Sequence, residues 1–189
     1  MTDNTFKIKA IGEIKKLKST DYCQVLNEMK NIHDPVIIRL HIDADSTTVV
    51  DFNYNDDSNE GKNPYAGGFY VVEIHFGKSY PEKTPTVLFR TPILHANISK
   101  TDGYICLEAL NRWKSSSSLE ENIVRPLRDL LITPNFDDMI GGIDEKIVRD
   151  YDTIRENVLE YATLERTDEH VERLLKRIQD DKERAASNS

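Results

Sequence analysis

The sequence predicts an α+β domain in which one helix precedes an antiparallel sheet and further helices follow it. Apolar residues near the N-terminus recur at helical spacing with lysines between them, so residues 5–18 are expected to form an amphipathic helix. Runs rich in β-branched and aromatic residues predict four strands, at 36–42, 47–54, 69–76 and 86–89. Short links between consecutive strands favour a four-stranded meander with helices packed around it.

The second half of the chain is predicted to be helical. Ser118 and Glu121 have the spacing of a capping box ahead of a helix, and Pro126 within that helix predicts a lost hydrogen bond and a kink. A periodic apolar stripe predicts a long helix over about 143–165. Residues 19–34 are ambiguous, because either a short helix or an irregular connection fits their composition.

We divide the chain into a core domain, residues 1–165, and a charged C-terminal tail, residues 166–189. Apolar residues of the tail recur at helical spacing: Val171, Leu174, Leu175 and Ile178. They predict a helix over about 168–185, which we expect to be solvated; the alternative is that it docks a partner or folds back on the domain. The end of the chain, 185–189, is expected to be disordered.

Composition and charge limit the function classes. The 189 residues are 38% hydrophobic and 31% charged, as in an ordinary soluble globular domain. A net charge of −8 argues against a nucleic-acid partner, for which a basic surface is expected. The longest apolar runs are far shorter than a membrane span, so no membrane partner is expected.

The two cysteines, Cys23 and Cys106, lie far apart and lack the spacing of a metal site or a disulfide framework. Neither a metal nor a disulfide is therefore expected, and a reducing compartment, the cytoplasm or the nucleus, is predicted. The N-terminus has no positively charged start followed by an apolar block, so no secretory signal is predicted.

Lysines crowd the predicted first helix although the chain as a whole is acidic: Lys7, Lys9, Lys15, Lys16 and Lys18. They form either a solvated helix face or a docking surface for an acidic partner protein. The residues alone leave both interpretations open.

The segment HANISKTDGYICLEAL, residues 95–110, raises the question of function. Cys106 is either a small buried apolar residue or a nucleophile beside an amide side chain. Further motifs lie on both sides of it at ordered spacings. The set is Tyr80-Pro81 with Pro85, His95-Ala96-Asn97, Gly103-Tyr104-Ile105-Cys106-Leu107, Trp113 and TPNFDDMI at 133–140.

This ordered set resembles the heart of the ubiquitin-conjugating (E2) enzymes, with the chain as a divergent member of that UBC-fold family. The resemblance covers roughly residues 6–165. It implies that the chain accepts ubiquitin or a ubiquitin-like modifier from an activating enzyme (E1) as a thioester, then passes it to a lysine amine or a ligase (E3). The lysine-rich first helix is similar to the surface with which E2 proteins meet E1. ATP is used by E1, so no cofactor bound by this chain is expected.

The resemblance implies roles for four residues around the thioester. Cys106 is the expected nucleophile, because sulfur is both a good nucleophile and a good leaving group. Asn97 is expected either to stabilise the oxyanion through its amide or to hold the loop backbone. Asp138 is expected to orient the incoming lysine and receive its proton. For His95 we expect a structural hydrogen bond.

Two partner surfaces depart from the family pattern. Glu82 replaces the aromatic residue that often follows the Tyr-Pro pair, and Lys114 and Ser115 stand where a Ser-Pro-Ala loop is usual. These changes remove apolar area, so the ligase is not expected to be of the conventional RING type. Arg125 and Asp129 place charge on the helix face that meets the donor modifier, which then needs complementary charge.

Two other functions fit parts of the sequence. A catalytically silent, UEV-type adaptor would bind ubiquitin or a ligase without chemistry. Ala96 in place of the family's proline loosens the loop before Asn97, and together with the altered ligase loop it weakly favours that adaptor. The presence of Cys106, Asn97 and Asp138 speaks against it. A cysteine hydrolase that pairs Cys106 with His95 is the third hypothesis, but no motif for such a dyad is present.

Overall fold

In a computed structural model of the chain, residues 3–29, 31, 34–163 and 167–187 are described. The helices are α1 (Asp3–Leu17), α2 (Glu108–Asn111), α3 (Arg125–Ile132), α4 (Glu145–Arg149), α5 (Tyr151–Asn157) and α6 (Asp168–Ser187). The strands are β1 (Cys23–Val25), β2 (Val36–His41), β3 (Phe69–His75) and β4 (Thr86–Phe89). The α+β class, the N-terminal helix and the helices after the sheet are confirmed.

The four strands form one antiparallel sheet in the order β1-β2-β3-β4. Because strand residues alternate between the two faces of a sheet, Ile38 and Leu40 of β2 and Val72 of β3 point to one side, where they join the main core. Leu17 of α1 and Leu127 of α3 belong to the same core and are fully buried. The sheet therefore separates a buried inner face from an outer face.

The predicted strand 47–54 is wrong, and the fourth strand is instead β1, within the segment that the sequence left ambiguous. Residues 47–54 bond to other segments instead: Thr48 N–H donates to the Gly61 carbonyl in a loop, and Asn53 N–H donates to the Arg149 carbonyl at the end of α4. The apolar alternation is real, because Phe52 is buried whereas Val49 is 91% exposed. Alternation predicts burial on one side, but it does not say which backbone the segment pairs with.

The expectation of a solvated tail helix is also wrong. Ile178 and Leu175 of α6 pack on Ile37 and Val71, which form a small second cluster on the outer face of the sheet. The apolar stripe of α6 thus covers apolar strand residues that would otherwise face water. Residues 185–187 continue the helix, against the expectation of disorder, while 188 and 189 and the Leu174 side chain lie outside the described residues. The domain division at residue 165 stays a prediction.

The helices after the Cys106 segment are less regular than predicted. The capping box is absent, since Ser118 N–H is bonded to the Asn122 side chain rather than to Glu121. A π-helical turn, Glu120–Val124, precedes α3 and accommodates Pro126 near the helix start.

The predicted helix over 143–165 is divided. Asp150 lies between α4 and α5 in an extended conformation, and its side chain accepts from Thr153 N–H at 2.8 Å. A π-helical turn, Val158–Ala162, follows α5. Residues 164 and 165 of the prediction lie outside the described residues.

Candidate active site

Cys106 follows a tight turn that packs against β4. Gly103 has a φ of 72°, and a Cβ atom there would lie 1.9 Å from the carbonyl oxygen of Phe89, so only glycine fits. Phe89 N–H donates to the Gly103 carbonyl at 2.8 Å, and Ile105 forms a bridge with Ile98. The turn therefore fixes where Cys106 leaves the sheet edge, with its side chain half-buried.

The Cys106 thiol faces a carboxylate. Its Sγ–H donates to Oδ2 of Asp138 at a donor–acceptor distance of 3.5 Å. Partial burial, and then this carboxylate, raise the pKa of the Cys106 thiol above its ordinary value. Cys23 is buried, and burial raises its pKa to about 12. Cys106 is thus the more accessible of the two thiols.

Asp138 ends a 3-10 turn, Phe136–Asp138, that lies beside the cysteine. Asn135 precedes the turn and caps it, because its side-chain oxygen accepts from Asp137 N–H at 3.1 Å. The Asp138 carboxylate is exposed. The structure thus brings a carboxylate from a distant part of the chain to the half-buried thiol.

Asn97 connects this turn to the cysteine segment. Its side-chain nitrogen donates to the carbonyls of Asn135 at 2.7 Å and Asp138 at 2.9 Å, and its side-chain oxygen accepts from Asn135 N–H at 2.8 Å. Its own carbonyl accepts from Cys106 N–H at 2.9 Å. The residue is 1% exposed. Both amide hydrogens are therefore committed to the turn, which favours loop holding over oxyanion stabilisation in this conformation.

His95 is buried and makes structural hydrogen bonds. Its Nδ1 accepts from Asn97 N–H at 3.0 Å, and its Nε2 lies 3.0 Å from the Leu130 carbonyl, to which it donates. Burial lowers the pKa of His95 to about 4, so the ring is neutral at pH 7. Because both ring nitrogens are occupied, the ring is not placed to act as a base toward Cys106. This geometry removes the basis of the hydrolase hypothesis.

Trp113 packs the segment around the Tyr-Pro pair. Its Nε1 donates to the Pro81 carbonyl at 2.8 Å, and its ring lies 5.9 Å from that of Tyr80. The peptide bond between Tyr80 and Pro81 is cis. Trp113 thus ties the chain after α2 to the connection between β3 and β4, and it contributes packing rather than chemistry.

All four predicted docking lysines lie on α1: Lys7, Lys9, Lys15 and Lys16. Lys9 Nζ donates to the Ser115 carbonyl at 2.6 Å. Lys16 Nζ lies 2.8 Å from Glu13 Oε1. The lysine surface and the loop predicted to meet the ligase are therefore adjacent on the molecule.

The remaining predicted partner residues lie at the surface. Glu82, Lys114 and Asp129 are exposed. Arg125 is also exposed, but its guanidinium pairs with Glu120 at 2.9 Å. Its charge is therefore largely compensated within the chain, which weakens the argument that it demands a complementary charge on the modifier.

Three structurally important side chains escaped the sequence analysis. Glu13 is 5% exposed, and its carboxylate accepts from Leu119 N–H at 2.8 Å, which ties α1 to the start of the helices after the site. Phe136 and Arg149 stack beside the Asp138 turn. No motif marks Glu13 or Arg149, whereas Phe136 lies within the TPNFDDMI segment and could have been noted there.

The part of the chain that the structure describes has neither a metal-binding cluster nor a membrane-spanning helix. There, no group of three or more histidine, cysteine or acidic side chains is arranged to hold a metal ion. Within the same residues, no helix has both the length and the apolar character needed to cross a membrane.

Comparison with known proteins gives the same family as the motifs. The sequence model of the family described as ubiquitin-conjugating enzyme matches residues 26–163, which is more than half of the chain. A crystal structure from Plasmodium yoelii, provisionally described as a ubiquitin-conjugating enzyme, has a TM-score of 0.65 and 19% identity over 86% of this chain and 98% of that one. Because the two sequences are only 19% identical, this structural similarity supports the fold alone. The chain therefore belongs to the ubiquitin-conjugating enzyme family and has its UBC-like fold.

Proposed function

We propose that the chain is an active E2 enzyme that carries ubiquitin or a ubiquitin-like modifier as a thioester on Cys106. It then transfers the modifier to a lysine amine or to a ligase. The observation that supports this proposal is that the half-buried Cys106 thiol lies 3.5 Å from the Asp138 carboxylate. That carboxylate belongs to a turn whose backbone Asn97 holds through its side-chain amide.

The first step is acyl transfer from sulfur to sulfur. The Cys106 thiol loses its proton, and the thiolate attacks the thioester carbonyl of the charged E1. A new bond forms between Cys106 Sγ and the carbonyl carbon, the bond to the E1 sulfur breaks, and the E1 thiolate leaves. Because the pKa of the Cys106 thiol is raised, charging should accelerate as the pH rises toward that pKa.

The second step forms an amide. A lysine amine attacks the Cys106 thioester, the carbon–sulfur bond breaks, and the thiolate leaves. Asp138 has lost its thiol hydrogen bond at this stage, so its exposed carboxylate is free to orient the amine and accept its proton. Asn97 supports this step by holding the turn through the Asn135 and Asp138 carbonyls.

The partner surfaces follow from the same proposal. The α1 lysines, Lys7, Lys9, Lys15 and Lys16, would dock E1, which also supplies the ATP chemistry. Glu82, Lys114 and Ser115 would face the ligase with a polar surface, which favours a ligase other than a conventional RING type. The proposed compartment is the cytoplasm, the nucleus or both.

The silent adaptor is the second candidate. Two observations favour it: the raised pKa of the Cys106 thiol, and an Asn97 amide with both hydrogens committed to the turn. The adaptor would bind the modifier or a ligase with the same fold and leave Cys106 unloaded.

A charging assay separates the two candidates. The full chain is incubated with E1, ATP and ubiquitin or a ubiquitin-like protein, and the products are run with and without reductant. The enzyme forms an adduct that reductant removes, and Cys106→Ser gives an ester that resists reductant. If no modifier forms an adduct while Cys106 still reacts with a small alkylating agent, the chain is an adaptor and the enzyme hypothesis is wrong.

A further inference from the structure

The turn that carries Asp138 is clamped at its first residue, Phe136. The Arg149 guanidinium lies over the Phe136 ring, with its central carbon 3.8 Å from the ring centroid. Phe52 meets the same ring edge-on at a centroid distance of 5.8 Å. A cation over an aromatic face is attracted by the ring quadrupole, so Phe136 is held between an arginine and a buried aromatic residue.

Arg149 is itself fixed by hydrogen bonds within α4 and to a distant segment of the chain. Its Nε donates to Glu145 Oε1 at 2.7 Å, and one terminal nitrogen donates to the Asp51 carbonyl at 3.4 Å. Its backbone carbonyl accepts from Asn53 N–H at 2.7 Å. Hydrogen bonds as well as the ring therefore hold the guanidinium in place. Because the guanidinium is fixed, its stack on Phe136 limits the movement of the turn.

The position of the Asp138 carboxylate depends on that turn. The carboxylate is exposed, and Cys106 Sγ donates to it at 3.5 Å, a length at which small displacements matter. Asn97 holds backbone atoms at the two ends of the segment from Asn135 to Asp138. The ring of Phe136 lies between those ends, so fixing the ring fixes the rotation of the turn.

We propose that Arg149 is a positioning residue, which through its stack on Phe136 holds the Asp138 carboxylate beside the Cys106 thiol. This inference deepens the proposed function, because Asp138 is the group proposed to receive the lysine proton. Its test is nevertheless independent of transfer, since the thiol can be titrated in the uncharged protein.

The sign of the thiol response distinguishes positioning from a direct charge effect. If Arg149 acted directly on the thiol as a cation, its removal would raise the pKa of Cys106. If Arg149 holds Asp138 in place, its removal lets the carboxylate move away and lowers the pKa of Cys106. The two mechanisms therefore predict opposite shifts.

The experiment is the pH dependence of Cys106 alkylation by iodoacetamide, read by mass spectrometry of the Cys106 peptide in the full chain. Asp138→Asn removes the carboxylate itself, so it should give the largest fall in the pKa of the Cys106 thiol. Arg149→Met and Phe136→Leu should each lower the pKa by part of that amount; a fall of half a unit gives about threefold faster alkylation below the pKa. Arg149→Lys keeps the charge but not the planar stack, so it should resemble Arg149→Met. Lys146→Met, an exposed change on α4, should match the wild type.

Two results would overturn the proposal. One is an unchanged or raised pKa of Cys106 in folded Arg149→Met and Phe136→Leu proteins. The other is a fall that Arg149→Met still produces in the Asp138→Asn background, where no carboxylate remains to be displaced. If the single variants shift the thiol as expected but the wild type never forms a modifier adduct, the positioning role stands and the proposed function fails.

Discussion

The buried Asn97 side chain makes three hydrogen bonds to backbone groups of Asn135 and Asp138, in the turn that follows α3. Replacing Asn97 with alanine would leave two carbonyls and one N–H in that region without these partners. Asn97→Ala is therefore expected to lower the free energy of unfolding by about 2–4 kcal/mol. Urea denaturation measures this, with the exposed Asn111→Ala as control. A loss within about 0.5 kcal/mol of the control would contradict the holding role.

His95 gives a pH prediction. Its pKa in the folded chain is about 4, below the unfolded value of about 6.5. The unfolded state therefore binds the proton first, and the His95 contribution to stability is complete above about pH 6.5 and declines as the pH falls toward 4. NMR should show no His95 ring titration between pH 8 and 5. A midpoint near 6.5 would mean that the ring is solvated.

The sequence made the residue types of the site predictable, and their roles less so. Cys106, Asn97 and Asp138 were predicted from the resemblance, and the structure brings Cys106 and Asp138 together. The choice between oxyanion donor and loop holder could not be made for Asn97, because it depends on which carbonyls the folded chain presents to the amide. Arg149 was missed for a similar reason, since its stack on Phe136 is a contact between distant segments.

Among the elements, the turn before Cys106 depends on a single glycine. Gly103→Ala would place a Cβ atom 1.9 Å from the Phe89 carbonyl at a positive φ, so we expect a loss of at least about 2 kcal/mol in unfolding free energy. Gly77→Ala, where no atom lies within 4 Å of the added carbon, is the matched control. Thermal unfolding compares the two, and equal melting temperatures would show that the turn rearranges at little cost.

Strand prediction succeeded for β2, β3 and β4, and β4 was predicted to the residue although it lies at the edge of the sheet. Strands β2 and β3 have long β-branched runs because both are flanked by other strands, and their positions were predicted nearly to the residue. Strand β1 has only three residues at the sheet edge, which is too short for alternation to be visible. The segment 47–54 has the alternation of a strand, but its hydrogen bonds go to a loop and to Arg149.

At the scale of the whole molecule, α6 closes the outer face of the sheet. Ile178→Ala should loosen that helix, because its side chain is part of the small cluster with Ile37 and Val71. We expect a loss of about 1–2 kcal/mol and faster amide hydrogen exchange across 168–187, with the exposed Lys176→Ala as control. Exchange equal to that of the control would show that the contact does not hold the helix.

The fold class could be predicted from patterns in the chain, whereas the packing of α6 could not. Helical spacing of Val171, Leu175 and Ile178 predicts an apolar stripe, but nothing along the sequence says which surface covers it. Ile37 and Val71 supply that surface because alternate residues of β2 and β3 face outward.

The most direct test of the central claim is a single-turnover transfer measurement. Cys106 is charged with the modifier, E1 is quenched, free lysine is added, and loss of the thioester is followed with time. We expect wild type and Asp137→Ala to discharge at similar rates. Asp138→Ala should charge at least as fast as wild type, because its thiol pKa is lower, but should discharge at least about tenfold more slowly. Equal discharge by wild type and Asp138→Ala would contradict a transfer site built from Cys106 and Asp138.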